Sequence, residues 1–291
     1  MSSTPSSPSA PAVGVPSFPS PLENPVKARL KAGQPVMGVT ITTNSVEHAA
    51  QVAALGFDFL WMEMEHSPVS LETLRQVVLA TRGLPAVPFA RVPVNELWTA
   101  KRVLDAGALG VMFPFTSTPE LAAQAVAACR YPPAGRRGSG AGLASFRWTA
   151  PQGYYDFADQ NVLVIGIIEE VKAVEQIEAI AATPGLDVLF VGPSDLAFSM
   201  GLRGQMDHPQ VRRAMRHVAE VARRHGKFPG RLATTPEEAR LALDEGFLLL
   251  QGPTEVELMK AGGRHLLAGL DRPAPGVAPV APAAGGGKPA Y

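Results

Sequence analysis

The chain has 291 residues, of which 46% are hydrophobic and 18% are charged, and this is enough for one large domain with a single core or for two small domains. Its 26 basic and 26 acidic residues cancel, which excludes the strongly basic surface of a typical nucleic-acid-binding or anionic-membrane-binding protein. The single cysteine, Cys129, excludes an intrachain disulfide and a thiolate metal cluster. We therefore expect a cytoplasmic protein that handles a small molecule and binds neither nucleic acid nor membrane.

The two ends of the chain differ in composition from the rest. Residues 1–25 are rich in Pro and Ser and lack the basic and apolar segments of a signal peptide, so we expect a disordered leader. Residues 273–291 are rich in Pro, Ala and Gly, which predicts a flexible tail. The sequence has no apolar run of the length, about 18 residues, that a membrane span needs. The folded domain is therefore predicted to cover residues 26–272.

Short apolar segments alternate with amphipathic segments along this domain, and such uniformly apolar strands are typical of a parallel sheet buried on both faces. The first half predicts strands at 36–41, 57–62, 87–90 and 109–113, with helices at 45–55, 70–82, 96–105 and 119–130. After a loop rich in Gly and Arg, the second half predicts strands at 162–168, 188–191, 228–232 and 247–250, with helices at 171–182, 208–225, 236–245 and 256–267.

Eight strand–helix units predict an α/β fold, a closed (β/α)8 TIM barrel. An open, doubly wound sheet is the alternative. No strand, however, is followed by the glycine-rich turn of a dinucleotide-binding or phosphate-binding motif.

Polar side chains follow several of these strands at the point where each strand ends. In TIM barrels the loops at the carboxyl ends of the strands carry the active site, so we expect these side chains to converge on one rim. They are Glu63, Glu65 and His66 after the second strand, Arg91 after the third, Glu169 after strand 162–168, and Asp195 after strand 188–191.

Glu169 and Asp195 are the candidate metal ligands. A carboxylate directly after a buried strand is costly unless it is paired or bound to a metal. The alternatives are that Glu169 begins the next helix, where it complements the helix dipole, and that Asp195 caps a short turn. Two carboxylates suit Mg²⁺, Mn²⁺ or Co²⁺, with water and substrate in the remaining coordination positions.

His66 and Arg91 are candidate catalytic residues. His66 stands beside two glutamates, which favours an acid/base role over that of a structural histidine. Arg91 either pairs with one of these glutamates or presents its planar guanidinium to a carboxylate or enolate oxygen. Asp105, at the end of a helix, is poorly placed for the helix dipole, which hints at a functional partner. Segment 136–140 is expected to form a flexible loop over the active-site mouth.

The ordered set of motifs resembles that of the HpcH/HpaI aldolases, which are class II pyruvate aldolases. The resemblance extends from about residue 30 to about residue 270. Its segments are Gly56-Phe57-Asp58-Phe59, Glu65-His66-Ser67-Pro68, Arg91-Val92-Pro93, Leu104-Asp105-Ala106-Gly107, Arg130-Tyr131-Pro132-Pro133-Ala134-Gly135, Arg137-Gly138, Ile168-Glu169 and Gly192-Pro193-Ser194-Asp195-Leu196.

The resemblance implies a barrel of the phosphoenolpyruvate/pyruvate-domain type, assembled as a homo-hexamer with the last helix exchanged between paired subunits. It also implies that Glu169 and Asp195 hold the divalent metal. Pro193 and Ser194, in the same motif as Asp195, are expected to contact the substrate.

The implied reaction cleaves or forms the C3–C4 bond of a 4-hydroxy-2-oxo acid, giving pyruvate and an aldehyde. In that reaction Arg91 holds the keto oxygen that becomes the enolate, and His66 is the acid/base, acting through a metal-bound water. Asp105 orients the histidine, from across a subunit contact. No Schiff-base lysine is evident at a strand end.

Three positions depart from the family pattern. Ile167 stands where many relatives have Gln, Glu63 where the motif usually has Asp, and Thr40 where an aromatic residue is common. We expect these differences to shift the substrate.

Two other functions fit part of this pattern. One is a related metal–enolate lyase, either an oxaloacetate decarboxylase or a citrate-lyase-like enzyme that cleaves an acyl-CoA, for which Arg136 and Arg137 are the candidate contacts to the CoA phosphates. The other is a non-catalytic barrel that binds a 2-oxo acid. The intact set of polar residues at the strand ends argues against the second.

Overall fold

Buried apolar segments form eight parallel strands within residues 23–270, the part of the chain that the computed structural model describes. Most strand residues are buried, as expected for a sheet with helices outside and packed side chains inside. The strands are β1 (Val36–Ile41), β2 (Phe59–Glu63), β3 (Val87–Arg91), β4 (Gly110–Phe113), β5 (Leu163–Ile168), β6 (Val188–Val191), β7 (Phe228–Leu232) and β8 (Leu249–Thr254).

The strands follow one another around a closed barrel in chain order, and β1 completes it by pairing with β8. This closure confirms the predicted (β/α)8 barrel and excludes an open, doubly wound sheet. Because all strands are parallel, their carboxyl ends meet at one rim, which we call the carboxyl-terminal rim. The other end of the barrel is the amino-terminal rim.

Helices connect the strands, and four of them begin at a Ser or Thr whose side chain accepts a backbone N–H of the first turn: Ser45, Ser70, Thr118 and Thr235. No helix within residues 23–270 combines the length and apolar composition needed to cross a membrane. The helices are α1 (Pro25–Lys31), α2 (Val46–Ala53), α3 (Leu71–Ala80), α4 (Leu97–Asp105), α5 (Pro119–Cys129), α6 (Gly142–Arg147), α7 (Tyr154–Asn161), α8 (Val171–Glu175), α9 (Ile177–Ala181), α10 (Pro193–Ser199), α11 (Pro209–Arg224), α12 (Pro236–Asp244) and α13 (Glu255–Ala268).

The structure corrects the sequence interpretation in three places. The helix expected at 171–182 is broken at Gln176 into α8 and α9. The segment before β5, expected to be a loop, contains α6 and α7, which are anchored by the stacked rings of Trp148 and Phe157, 6.3 Å apart. A short helix that the apolar pattern did not indicate, α10, directly follows β6.

Asn24 fixes the start of the described chain to the amino-terminal rim. Its side chain caps α1 and donates to the carbonyl oxygens of Leu109, at 3.3 Å, and Asn161, at 3.0 Å. Asn24 is fully buried, so the last two residues of the leader expected at 1–25 belong to the folded part. Residues 1–22 of that leader and the tail expected at 273–291 lie outside the described residues.

The chain divides into two compact units after Glu255. The first unit contains the barrel. The second begins at Val256, and its described part is the rest of α13, most of whose residues are exposed. The domain expected at 26–272 therefore spans both units, and the helix expected at 256–267 is present.

Stacked aromatic rings fill the interior of the barrel beneath the carboxyl-terminal rim. The rings of Phe59 and Phe89 stack at 5.1 Å, and each faces a glycine on a neighbouring strand. A methyl group added at Gly38 would lie 2.2 Å from the Phe59 ring, and one added at Gly110 would lie 2.6 Å from the Phe89 ring. The two glycines therefore make room for the rings that close the barrel below the rim.

We expect Gly38→Ala to destabilise the protein by about 1–3 kcal/mol, because the added methyl group overlaps the buried Phe59 ring. The matched control is Gly142→Ala at the start of α6, where nothing lies within 4 Å of the added methyl group. Thermal unfolding followed by circular dichroism should show a clear fall in Tm for Gly38→Ala alone. Equal Tm values for the two variants would contradict this account.

Candidate active site

Glu169 lies at the carboxyl end of β5 with its carboxylate almost fully buried, at 1% exposure. Its Oε1 accepts the backbone N–H of Phe115 at 2.6 Å, and its Oε2 lies 3.6 Å from Nη2 of Arg91. Burial raises the pKa of Glu169 to about 7, although the Phe115 N–H and the Arg91 guanidinium both favour the charged form. A further cationic partner would therefore stabilise the charged form of this carboxylate.

The backbone at Phe115 is shaped to make the contact with Glu169. Phe115 has φ of 47°, which is the left-handed region that a bulky residue rarely adopts. Among the described residues it is the non-glycine residue with positive φ, and its side chain is half-exposed. Such strain persists where the surroundings fix the conformation, and here it accompanies a 2.6 Å hydrogen bond to a buried carboxylate.

Arg91 sits among three glutamates at the end of β3. Its Nη1 lies 3.4 Å from Glu63, and its Nη2 forms an ion pair with Glu65 and lies 3.6 Å from Glu169. Its Nε is buried without a hydrogen-bond partner in the described structure. The ion-pair alternative for Arg91 is therefore realised, and its Nε–H remains without a partner among the described residues.

Glu63 shapes the turn that carries Glu65 and His66. Its Oε1 accepts the backbone N–H groups of Glu65, at 2.9 Å, and His66, at 3.1 Å, while its Oε2 accepts Nε1–H of Trp61 at 3.2 Å. The resemblance leads to an expectation of Asp at this position, and Glu63 is one methylene group longer. Here the longer side chain reaches both the turn and the indole.

His66 lies at the outer edge of this cluster. Its imidazole is 64% exposed, and its Nε2 is 3.6 Å from Oε2 of Glu65. Burial raises the pKa of Glu65, and Arg91 and His66 act against this rise. His66 therefore contacts the buried acidic cluster through Glu65, from the solvent side.

A cavity of about 200 Å³ opens in front of Glu169. Its floor contains the rings of Trp61 and Phe190, whose centroids are 4.9 Å apart. The predicted site residues that line it are Arg91, Glu169, Pro193, Ser194 and Asp195.

The cavity suits a divalent cation chemically. Glu63, Glu65, Glu169 and Asp195 set four carboxyl groups against the single guanidinium of Arg91, which leaves an excess of negative charge. Gly192 leaves Glu169 accessible, since a methyl group added there would lie 3.0 Å from its Oε2. No group of three or more His, Cys, Asp or Glu side chains arranged to hold a metal occurs within residues 23–270. A site built on Glu169 and Asp195 therefore needs water and substrate oxygens as its other ligands.

Asp105 is not part of this cluster in its own chain. It ends α4, and a helix of the barrel runs back from the carboxyl-terminal rim to the amino-terminal rim. Its Oδ1 accepts Nη2–H of Arg137 at 3.0 Å, and burial raises its pKa while Arg137 opposes the shift.

The expectation that segment 136–140 covers the active-site mouth of its own chain is wrong. The segment follows α5 and precedes β5, which places it at the amino-terminal rim. Arg137 is 1% exposed, with its guanidinium 4.6 Å from the ring of Tyr131 and bonded to Tyr154. Next to this segment, Trp148 donates to the carbonyl oxygen of Gly107, just before β4. Arg137 is therefore buried and hydrogen-bonded, and is not part of a mobile loop.

Several cavity residues were missed by the sequence reasoning, namely Trp61, Phe190, Met206, Leu232 and Gln251. Gln251 had a usable signal, because it directly follows the apolar run that ends at Leu250, as Glu169 follows its own strand. The others are apolar and cannot be distinguished from core residues by pattern alone. Of the departures from the family pattern, Ile167 lines the cavity directly, whereas Thr40 lies behind Gln251 and bonds its amide at 3.1 Å.

Residues 37–260 match the protein family described as HpcH/HpaI aldolase/citrate lyase. The 5-keto-4-deoxy-D-glucarate aldolase of Klebsiella pneumoniae is 38% identical over 243 residues, which are 84% of this chain and 95% of the relative. The hydroxypyruvate/pyruvate aldolase of Cupriavidus necator is 36% identical over 262 residues, which are 90% of this chain and 97% of the relative.

A crystal structure of an HpcH/HpaI aldolase/citrate lyase family protein from Burkholderia cenocepacia has a similar fold. It superimposes with a TM-score of 0.79 at 35% sequence identity, covering 84% of this chain and 98% of that chain. The similarity in both sequence and fold therefore extends over the whole barrel.

We expect the stability of the metal-free protein to fall as the pH rises, on account of Glu169. Its folded-state pKa of about 7 exceeds the ordinary value of 4.5, so the folded state holds a proton that the unfolded state has released. The free energy of unfolding therefore falls by on the order of 3 kcal/mol between pH 4.5 and pH 7. Glu169→Gln removes this dependence, so its Tm in EDTA should exceed that of the wild type increasingly from pH 5 to pH 8. A constant Tm difference across this range would contradict the assignment.

Proposed function

We propose that this chain, which belongs to the HpcH/HpaI aldolase/citrate lyase family, is a class II aldolase that uses a divalent metal ion. It cleaves or forms the C3–C4 bond of a 4-hydroxy-2-oxo acid, with pyruvate and an aldehyde as the other reaction partners. One observation carries the proposal: the Arg91 guanidinium and the Glu169 carboxylate lie 3.6 Å apart on one side of a cavity that Asp195 also lines. The names of the Klebsiella and Cupriavidus relatives support both the aldolase class and a 2-oxo acid as substrate.

Glu169 and Asp195 would hold the cation, and divalent-metal dependence is general in the family. The excess of carboxyl groups around the cavity supports this assignment. When bound, Mg²⁺, Mn²⁺ or Co²⁺ supplies a Lewis acid that stabilises negative charge on the keto oxygen. Burial of Glu169 strengthens any such interaction because the surrounding dielectric constant is low.

Arg91 acts on the keto oxygen of the substrate. As the C3–C4 bond breaks, its electron pair moves through C2 to this oxygen, and the guanidinium donates a hydrogen bond to the developing negative charge. The ion pairs to Glu63 and Glu65 fix the plane of the guanidinium before the substrate arrives. The aromatic floor of Trp61 and Phe190 gives the enolate an apolar surface to lie against, and the enolate then takes a proton from solvent at C3 to give pyruvate.

His66 removes the proton of the 4-hydroxyl group, so that this oxygen becomes the carbonyl oxygen of the aldehyde. Its exposed position lets the proton pass to solvent, and Glu65 at 3.6 Å stabilises the imidazolium. Pro193 and Ser194 border the cavity beside Asp195 and contact the carboxylate end of the substrate.

The role of Asp105 requires a second copy of the chain. Asp105 lies at the amino-terminal rim and His66 at the carboxyl-terminal rim, so a neighbouring subunit must supply the aspartate that orients His66. The proposal therefore includes a homo-oligomer, and the resemblance implies a hexamer. Trp98 of α4 and Phe146 of α6 leave apolar surface on elements near Asp105, as subunit contacts commonly do.

The acyl-CoA alternative finds less support. Its phosphate contacts were expected from Arg136 and Arg137, but Arg137 is buried and paired with Asp105. Only Arg136 of the two is exposed, and it lies at the rim opposite Glu169. A reducing cytoplasm is the proposed compartment, and the free, buried thiol of Cys129 supports it.

We expect purified protein with Mn²⁺ to release pyruvate from a 4-hydroxy-2-oxo acid, and EDTA to abolish this release. Asp195→Asn should lower kcat/KM at least a hundredfold and weaken Mn²⁺ binding in calorimetric titration, since it removes a charged ligand. Asp244→Asn on the exposed face of α12 is the matched control. Unchanged Mn²⁺ affinity in Asp195→Asn would refute the metal site. Release of CO₂ from oxaloacetate without aldol cleavage would favour the decarboxylase alternative instead.

We expect His66→Ala and Asp105→Ala to be inactive separately and partly active together. Co-expressed in one cell, the two variants would form mixed oligomers in which some sites combine an intact His66 with an intact Asp105 from the neighbour. Pyruvate release by the mixed protein, with its mass measured by sedimentation, checks this expectation. Failure to recover activity in mixed oligomers of confirmed composition would mean that Asp105 does not serve a neighbouring site.

A further inference from the structure

The side of the cavity across the barrel from Arg91 carries a polar side chain that the proposed mechanism does not use. The strand order places β7 and β8 across the barrel from β3 and β4, and Arg91 ends β3. The cavity residues from this far side are Leu232 of β7 and Gln251 of β8, which are paired in register, and Met206 lies nearby in the lining. Gln251 is thus a single amide in an otherwise apolar stretch of the cavity wall.

Thr40 fixes the orientation of this amide. The Thr40 hydroxyl donates its one proton to the carbonyl oxygen of Gly252 at 3.2 Å, so toward Gln251 it can only accept. Nε2 of Gln251 accordingly donates to Oγ1 of Thr40 at 3.1 Å. Because Thr40 is 4% exposed, water does not compete for this contact. The amide therefore keeps its nitrogen on Thr40, and its Oε1 has no partner in the described part of the chain.

We propose that Oε1 of Gln251 accepts a hydrogen bond from a hydroxyl group on the aldehyde portion of the substrate, which makes this residue a determinant of specificity for hydroxyaldehydes. The inference rests on the proposed function, which places the 2-oxo acid end of the substrate at Arg91 and Glu169. A substrate anchored there extends its aldehyde end across a cavity of about 200 Å³ toward β7 and β8.

Energetics favour a hydroxylated aldehyde over a deoxy aldehyde at this wall. A hydroxyl group satisfies the amide oxygen as water is expelled, whereas a methyl group leaves that oxygen desolvated and unpaired. Leu232 and Met206 offer no competing acceptor on the same wall. Thr40 is a positioning residue, because it touches Gln251 and acts on the substrate only through it.

The test compares two aldehydes of equal carbon number, glycolaldehyde and acetaldehyde, in aldol addition to pyruvate with Mn²⁺. The measured quantity is the ratio of kcat/KM for glycolaldehyde to kcat/KM for acetaldehyde. We expect Gln251→Leu to lower this ratio about tenfold, the effect of one neutral hydrogen bond. Thr40→Val should lower it in the same direction, and Thr40→Ser, which keeps the hydroxyl group, should retain it. The matched control is Gln51→Leu on the exposed face of α2.

If Gln251→Leu lowers kcat/KM by the same factor for both aldehydes, or not at all, the ratio stays at its wild-type value and the proposal is overturned. Thermal unfolding checks that each variant is folded, and Thr40→Ser against Thr40→Val gives a second comparison if Gln251→Leu is unstable. Exchange of the pyruvate methyl protons in D₂O, measured without any aldehyde, tests enolate formation separately. If the wild type catalyses exchange but Gln251→Leu leaves the kcat/KM ratio unchanged, only the proposed role of Gln251 is refuted. Absence of exchange in the wild type would overturn the proposed function, and this inference with it.

Discussion

The buried carboxylate of Glu169 is the feature on which the arrangement of the rim depends. A charge placed at the end of an apolar strand is unfavourable unless its neighbours compensate for the water it has lost. Here the backbone of Phe115 and the guanidinium of Arg91 provide two contacts from two other strand ends. The compensation is incomplete, since the pKa of Glu169 is still raised to about 7. Because compensation is incomplete, the charged carboxylate would be stabilised further by a cation, as the proposed function requires.

Arg91 links the buried Glu169 to polar groups that lie closer to the surface. It joins Glu169 to Glu63 and Glu65, and Glu63 in turn holds the backbone of the turn that ends at His66. A single chain of ionic and hydrogen-bonding contacts therefore connects a fully buried group to a largely exposed imidazole. Such a network fixes geometry before a ligand binds, so little reorganisation is left for the reaction itself.

The sequence predicted the fold and the location of several cavity residues for one reason. In a parallel barrel, a polar residue at the end of an apolar strand or soon after it lies at the carboxyl-terminal rim, and this rule placed Arg91, Glu169 and Asp195 there. Applied consistently, it would also have located Gln251, which directly follows the apolar run that ends at Leu250. The cavity floor was not predictable, since Trp61 and Phe190 lie within apolar runs that look the same whether they face a ligand or another core residue.

The same topological rule explains the one error of placement, that of segment 136–140. Helices return to the amino-terminal rim, so Asp105 and the segment with Arg137 could have been assigned there from chain order alone. The two helices between α5 and β5, α6 and α7, were not recognised because the segment is rich in Gly and Pro residues. Their stability comes from packing of Trp148 and Phe157 rather than from local propensity.

The contact from Phe115 to Glu169 is made by the main chain, and this separates two properties of position 115. Any residue other than proline supplies the same N–H, so the electrostatic environment of the buried carboxylate does not depend on which side chain stands there. The half-exposed ring is correspondingly free to change by mutation, provided that the replacement tolerates positive φ. The surface around the rim can therefore diverge during evolution while the interior charge arrangement is inherited unchanged.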